Sequence, residues 1–143
     1  MIGNAPLIIV RPSVAIINNK GEILLYSYSG ASWGIPGGIL QINETVENCI
    51  KRNVKEDLGL ILNSLHLFGV YSGQDLNTKP ENGEDEYHTV AIGYLCTDYA
   101  GVLTPDENQE IEAEFFKLDQ LPDHTDSFIK NKLVELKENL KIG

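Results

Sequence analysis

Positive charge is scarce in this chain: 11 Lys and Arg stand against 21 Asp and Glu, a formal net charge of -10 over 143 residues. That balance repels a phosphate backbone and an anionic lipid surface, which argues against nucleic acid polymers and membranes as partners. A small phosphorylated ligand stays open, provided a metal cation bridges it to the protein. Cysteine is nearly missing. Cys49 and Cys96 lie far apart among apolar neighbours and read as buried reduced thiols rather than a disulfide framework. No long hydrophobic run occurs either. The apolar opening APLIIVRPSVAII is interrupted by Arg11 and Pro12, too short for a membrane span and wrong for a signal peptide, so a cytoplasmic location is expected.

Several catalytic signatures are absent as well. No Gly-Lys-Ser/Thr follows the glycines, which removes the P-loop, and no serine stands at a strand-to-helix elbow. His66, His88 and His124 show no metal-ligand spacing. Neither an internal repeat nor a boundary is visible, so residues 1–143 are expected to form one domain large enough to bury a core.

What is present has an order. Leu7–Val10 and Ser13–Ile17 read as strand, expected to be broken by Pro12, which cannot donate to a ladder. NNKGE is a turn, and Ile23–Tyr28 returns as strand. SGASWGIPGGIL, from Ser29 to Leu40, holds too many glycines for a regular element and reads as a structured loop, with Trp33 packing beside it. From Thr45 the period turns helical: Ile50, Val54 and Leu58 form one apolar stripe, with Thr45 as N-cap and Gly59 as terminator. Leu65–Tyr71, Tyr87–Thr97 and Ile111–Leu118 read as strands, DYAG as a turn, Ser72–Glu86 as a long polar loop, and Asp126–Leu140 as a final helix. Strands, helix, strands, helix: the expectation is an α/β domain with a mixed β-sheet between helices.

The first helix carries the chemistry. Arg52, Asn53, Glu56 and Asp57 fall on one arc beside the apolar stripe. Adjacent carboxylates repel, and near a helix C-terminus the dipole disfavours them further. A hard divalent cation removes that objection, since it takes carboxylate oxygens and keeps water or phosphate oxygens as its other ligands. Arg52 stands one turn from Glu56 and can orient it. Ahead of the helix, Pro36–Gly38 lets backbone approach a ligand or metal closely, and Glu44 follows at the loop-to-helix junction.

The string GILQINETVENCIKRNVKEDLGL, Gly38 to Leu60, resembles the Nudix hydrolase signature G-x5-E-x7-R-E-U-x-E-E-x-G-U, with U a bulky apolar residue. Gly38, Glu44, Arg52, Val54, Glu56, Gly59 and Leu60 match. Asp57 keeps the acid but shortens it, and Asn53 departs. WGIPGG before the box and EAEFFKLDQLP near the end look like family landmarks in their expected order.

The resemblance implies an α/β/α sandwich with residues 38–60 as a loop–helix–loop, in a Nudix-like (MutT-like) pyrophosphohydrolase. It implies Mg²⁺- or Mn²⁺-dependent attack of water on a pyrophosphate link in a nucleoside diphosphate derivative. Glu56 and Asp57, with the Gly37 carbonyl, are the expected metal ligands. Arg52 and Glu44 are expected to orient those ligands, with Gly38 and Asn53 on the substrate side of the loop. Asn53 stands where the family often has a glutamate serving as base or ligand, and an amide has no useful basicity. A base outside the box is therefore needed, with Glu112 preferred over Glu110, Glu84, Asp85 and Glu86. Asn43 replaces a frequent Gly, and Gln41 a frequent Glu. The alternative is a nucleotide-binding regulatory domain that lacks turnover because Asn53 replaces the acid. Many relatives are dimers, and a homodimer is left open.

Overall fold

The structure is a computed structural model and describes residues 7–72, 87–126, 129 and 132. The expected loop acids Glu84, Asp85 and Glu86, and nearly all of the expected final helix, lie outside the described residues. Seven strands and one α-helix are described: β1 (Leu7–Ile16), β2 (Ile23–Tyr28), α1 (Val46–Leu58), β3 (Ile61–Leu62), β4 (His66–Ser72), β5 (Tyr87–Cys96), β6 (Tyr99–Ala100) and β7 (Ile111–Phe116). β5 lies between a parallel β1 and an antiparallel β4, while β2 pairs antiparallel with β7, and β3 with β6. The mixed sheet and the α/β class are as expected.

The chain through Pro12 differs from expectation, because β1 runs unbroken across it. The Gly38 N–H donates to the Pro12 carbonyl, the Leu40 N–H to Val10, and the Val14 N–H to Pro36. Residues 10, 12 and 14 therefore turn their backbone groups toward the glycine loop rather than toward β5. The missing N–H of Pro12 falls on the loop side, and the β1–β5 ladder loses nothing. DYAG also does more than turn, since Tyr99 and Ala100 pair with Leu62 and Ile61 before Gly101 bends the chain at φ 98°.

The second half of β1 is buried on both faces, while Leu7 and Ile8 at its start are exposed. Val14 and Ile16 face α1 with Leu24, Ile50, Val54, Leu58 and Cys96; Ala15 and Ile17 face the other way with Ile23, Leu25 and Ile129. Strands covered on both sides read as continuous apolar runs, as this one does. Trp33 packs in the second cluster, its ring edge-on to Phe116 at 5.3 Å. Cys49 and Cys96 are both buried and free.

Helix α1 forms where its caps and stripe predict. Thr45 Oγ1 accepts from the Asn48 N–H, and Gly59 ends the helix at φ 74° with its N–H on the Lys55 carbonyl. Ile50, Val54 and Leu58 are completely buried, each worth ~1.5–3 kcal/mol of transfer free energy. Two further C-terminal carbonyls are capped from outside the helix: Asp57 accepts from the Asp106 N–H and Leu58 from the Thr104 N–H. The segment before β7 is thereby docked onto the end of α1.

Candidate active site

The glycine loop reaches the helix by way of β1. Ser13 and Gly37 form an antiparallel bridge flanked by the Val14–Pro36 and Gly38–Pro12 hydrogen bonds, so the N–H and C=O of Gly37 point away from β1. A Cβ on Gly37 would strike the Pro12 carbonyl, and one on Gly38 would strike the Asn53 carboxamide. Gly37 is therefore required by close approach to backbone, as the sequence suggests, whereas at Gly38 the obstacle is a side chain that could shift. Asn43, in place of the frequent Gly, sits at φ 67°, a left-handed conformation that Asn tolerates better than most residues.

Glu44 and Arg52 are locked together. Arg52 Nε donates to Glu44 Oε2 at 2.6 Å and Nη2 to Oε1 at 3.1 Å, a two-pronged pair. The hydrogen bond from Arg52 is the main reason the Glu44 carboxyl is held down to about 2. The third nitrogen, Nη1, stands 3.5 Å from Glu56 Oε2 one turn further along. Arg52 thus ties the loop-to-helix junction to the acid at the far end of the helix. The Glu56 side chain is 60% exposed, against 14% for Glu44.

Asp57 is placed differently from a solvent-facing acid. It is buried, with Oδ2 accepting from the Tyr28 hydroxyl at 3.1 Å and Oδ1 at 3.5 Å from Gln109 Nε2. Gln109 also donates to Asp106 at 2.8 Å. Burial pushes the Asp57 carboxyl above its usual range, against the hydrogen bond from Tyr28, and the neighbouring Glu56 charge adds to the rise. Partial desolvation, with the nearby Tyr26 and Asp57, raises the Tyr28 phenol even though the residue is 40% exposed, which leaves it protonated and a donor at neutral pH. Tyr28 and Tyr26 meet edge-on at 5.2 Å on the same face of β2.

Asn53 is a packing group as placed. Its Nδ2 donates to the Cys49 carbonyl at 2.8 Å, and the carboxamide lies under Gly38. The β2–β7 register decides where the two candidate bases near β7 stand. Directly opposite residues share a face, so Tyr26 and Tyr28 share theirs with Ala113 and Ile111, whereas Glu112 sits opposite Ser27 on the other face. The structure therefore does not bring Glu112 to Glu56 and Asp57. Glu110, just before β7, accepts from the Ser29 hydroxyl at 2.7 Å.

Sequence reasoning missed Tyr28 and Gln109. Alternation along β2 puts Leu24, Tyr26 and Tyr28 on one face, but only the packing of α1 there reveals that the last hydroxyl meets Asp57. No signal in the sequence marks Gln109.

The described acids can be tested against a divalent cation. No group of three His, Cys, Asp or Glu side chains is gathered for a metal among the described residues. The described donor set is therefore a sparse one. It suits an Mg²⁺-like ion, which binds through one or two carboxylates and keeps waters and substrate phosphates as its other ligands. Glu56 and Asp57 would supply two such carboxylates, and the Gly37 carbonyl, directed away from β1, could add a third oxygen.

Loop, clamp and helix define an α/β domain with a loop–helix–loop site facing its C-terminal acids. The NUDIX domain family profile matches residues 9–136. The ADP-ribose pyrophosphatase of Methanocaldococcus jannaschii is 32% identical over 120 residues, covering 79% of this chain and 66% of that protein. The NAD-capped RNA hydrolase NudC of Vibrio atlanticus is 27% identical over 77% of this chain and 38% of its own length. The chain thus spans no more than about two thirds of these relatives. A crystal structure of a MutT NUDIX hydrolase from Burkholderia pseudomallei superposes with a TM-score of 0.74 at 30% identity, over 90% of this chain and 97% of that one. A MutT protein from Methanosarcina mazei Go1 shares the fold, with a TM-score of 0.74 at 19% identity. The chain belongs to the NUDIX family.

Proposed function

We propose that this protein hydrolyses the pyrophosphate link of a small nucleoside diphosphate derivative, with ADP-ribose the first substrate to try and Mg²⁺ or Mn²⁺ as cofactor. The observation that carries this reading is the Glu44–Arg52–Glu56 chain of contacts, which holds one exposed carboxylate beside a buried one at the end of α1. A divalent cation, when bound, supplies charge neutralisation for the phosphate oxygens and makes a water more acidic. Glu56 offers the more accessible oxygens, Asp57 the more rigid ones, and the Gly37 carbonyl is the third candidate donor. Arg52 orients Glu56, and Glu44 fixes Arg52.

The proton of the attacking water needs an acceptor other than Asn53. Glu112 stands across the β2–β7 ladder and Glu110 is engaged by Ser29, so each keeps a role here only as an acid to be tested by substitution with Gln. The net charge of -10 favours a small molecule over the RNA polymers processed by the longer relatives. A cytoplasmic setting and a homodimer are part of the same proposal.

The packed carboxamide of Asn53 favours a second reading, a nucleotide-binding domain without turnover. Release of AMP from ADP-ribose, NAD and nucleoside diphosphate sugars, measured with Mg²⁺ and with Mn²⁺, separates the two. Turnover of at least one substrate is expected, whereas nucleotide binding with no product would leave only the second reading. Asn53→Glu is expected to raise kcat, by up to the ~10²–10⁴ that a general base contributes. An unchanged rate would point to a base elsewhere.

A further inference from the structure

We propose that Tyr28 is a positioning residue for the shortened carboxylate of Asp57, fixing it for the divalent cation; this rests on the metal-site reading above. The signature position holds Asp rather than Glu, so its carboxylate reaches one methylene less far from the helix. A shorter acid gains little from length and must gain from orientation. Tyr28 supplies that orientation from a different element. Its hydroxyl donates to Oδ2 at 3.1 Å across 29 residues of sequence, and its ring is braced edge-on by Tyr26 at 5.2 Å.

The donor is anchored through its backbone, although Tyr28 itself is 40% exposed. Tyr28 closes β2, in register with Ile111 of β7, and a phenol has only two side-chain torsions to order. With Oδ2 engaged there, Oδ1 turns toward Gln109, whose amide stands at a long 3.5 Å and is itself held by Asp106 at 2.8 Å. Each Asp57 oxygen then keeps a lone pair for a further partner. Strand β2 and the segment before β7 thus grip the carboxylate from two sides, while Glu56 one residue earlier stays exposed.

Outer groups of this kind typically alter metal affinity ~10–100-fold when removed. Tyr28→Phe deletes the hydroxyl and keeps the ring packing. Mn²⁺ binding to the full chain, read from the free Mn²⁺ signal in electron paramagnetic resonance without substrate, is expected to weaken about tenfold. The nucleotide KM at saturating Mn²⁺ is expected to stay unchanged. In Tyr28→Phe combined with Asp57→Glu, the longer acid reaches into the space left by the hydroxyl, and affinity is expected to return to within about threefold of the parent. Unchanged Mn²⁺ affinity in Tyr28→Phe overturns the positioning role alone. So does a loss that persists unrelieved in the double variant, since that is what damaged packing produces. Absence of Mn²⁺ binding in the parent protein overturns this role and the metal-site reading together.

Discussion

The two acidic regions of the helix behave oppositely. At its entrance, Glu44 is held by two N–H donors on one edge of the Arg52 guanidinium and sits well below its ordinary 4.5, at about 2. At its exit, Glu56 has a single arginine nitrogen at 3.5 Å, and Asp57 is buried with neutral donors only and pushed upward. Glu44 has its cation built into the chain, whereas Glu56 shares a single nitrogen of the same arginine and the hydrogen bonds to the Asp57 carboxylate come from neutral groups. That contrast separates scaffold from chemistry. Under the proposed reading, Glu44 belongs to the scaffold, and Glu56 and Asp57 are the groups that a bound cation would complete.

Breaking the link between the two regions should have the largest effect among the changes that spare the acids. Arg52→Ala frees both Glu44 and Glu56, and it is expected to weaken divalent-metal affinity and lower kcat/KM by ~10–100-fold. Arg52→Lys should recover little, because an ammonium cannot reproduce the two-pronged pairing. Metal titration and steady-state kinetics on ADP-ribose check both.

Asp57→Asn sharpens the comparison from the other side. Because burial raises the Asp57 carboxyl, its protonated form is favoured in the folded state. Its contribution is therefore favourable below the ordinary 3.8 and is lost as pH rises through the folded value. At neutral pH without metal, the ionised carboxylate is a liability. The Asn variant should lose turnover yet melt no lower than the parent at pH 7, and up to a few degrees higher. Thermal unfolding in a chelator measures this, and a clearly lower melting temperature would contradict the account.

The smallest effect belongs to Glu44. Its lowered carboxyl contributes stability above 4.5 that is lost as pH falls toward about 2. The difference in melting temperature between the parent and Glu44→Gln should be constant above about pH 5 and close as the solution is acidified.

Much of this was legible in the sequence because it is local. Thr45 and Gly59 mark the helix ends, four-residue spacing marks the stripe of Ile50, Val54 and Leu58, and the glycines mark close approach. What was illegible is set by contacts distant in sequence. Pro12 was expected to interrupt a strand, but only the pairing partners of β1 show that its missing donor faces the loop. Asp57 and Glu56 look equivalent on a helical wheel; Tyr28, Gln109 and the segment docked by Thr104 and Asp106 bury one and leave the other exposed. Glu112 gained its appeal from its place before Phe115, and the β2–β7 register then puts it on the far face. Periodicity gives the face of a single strand, whereas tertiary packing decides which face meets the site.

The most direct test of the central claim compares the parent with Glu56→Gln for Mn²⁺ binding and ADP-ribose hydrolysis in the same preparations. The account predicts that the parent binds Mn²⁺ and turns over. Glu56→Gln should remain folded, bind Mn²⁺ weakly and lose more than ~10² in kcat, beyond the ~10–100-fold that removal of a group merely orienting a metal ligand costs. Full turnover and undiminished Mn²⁺ binding in Glu56→Gln would contradict it.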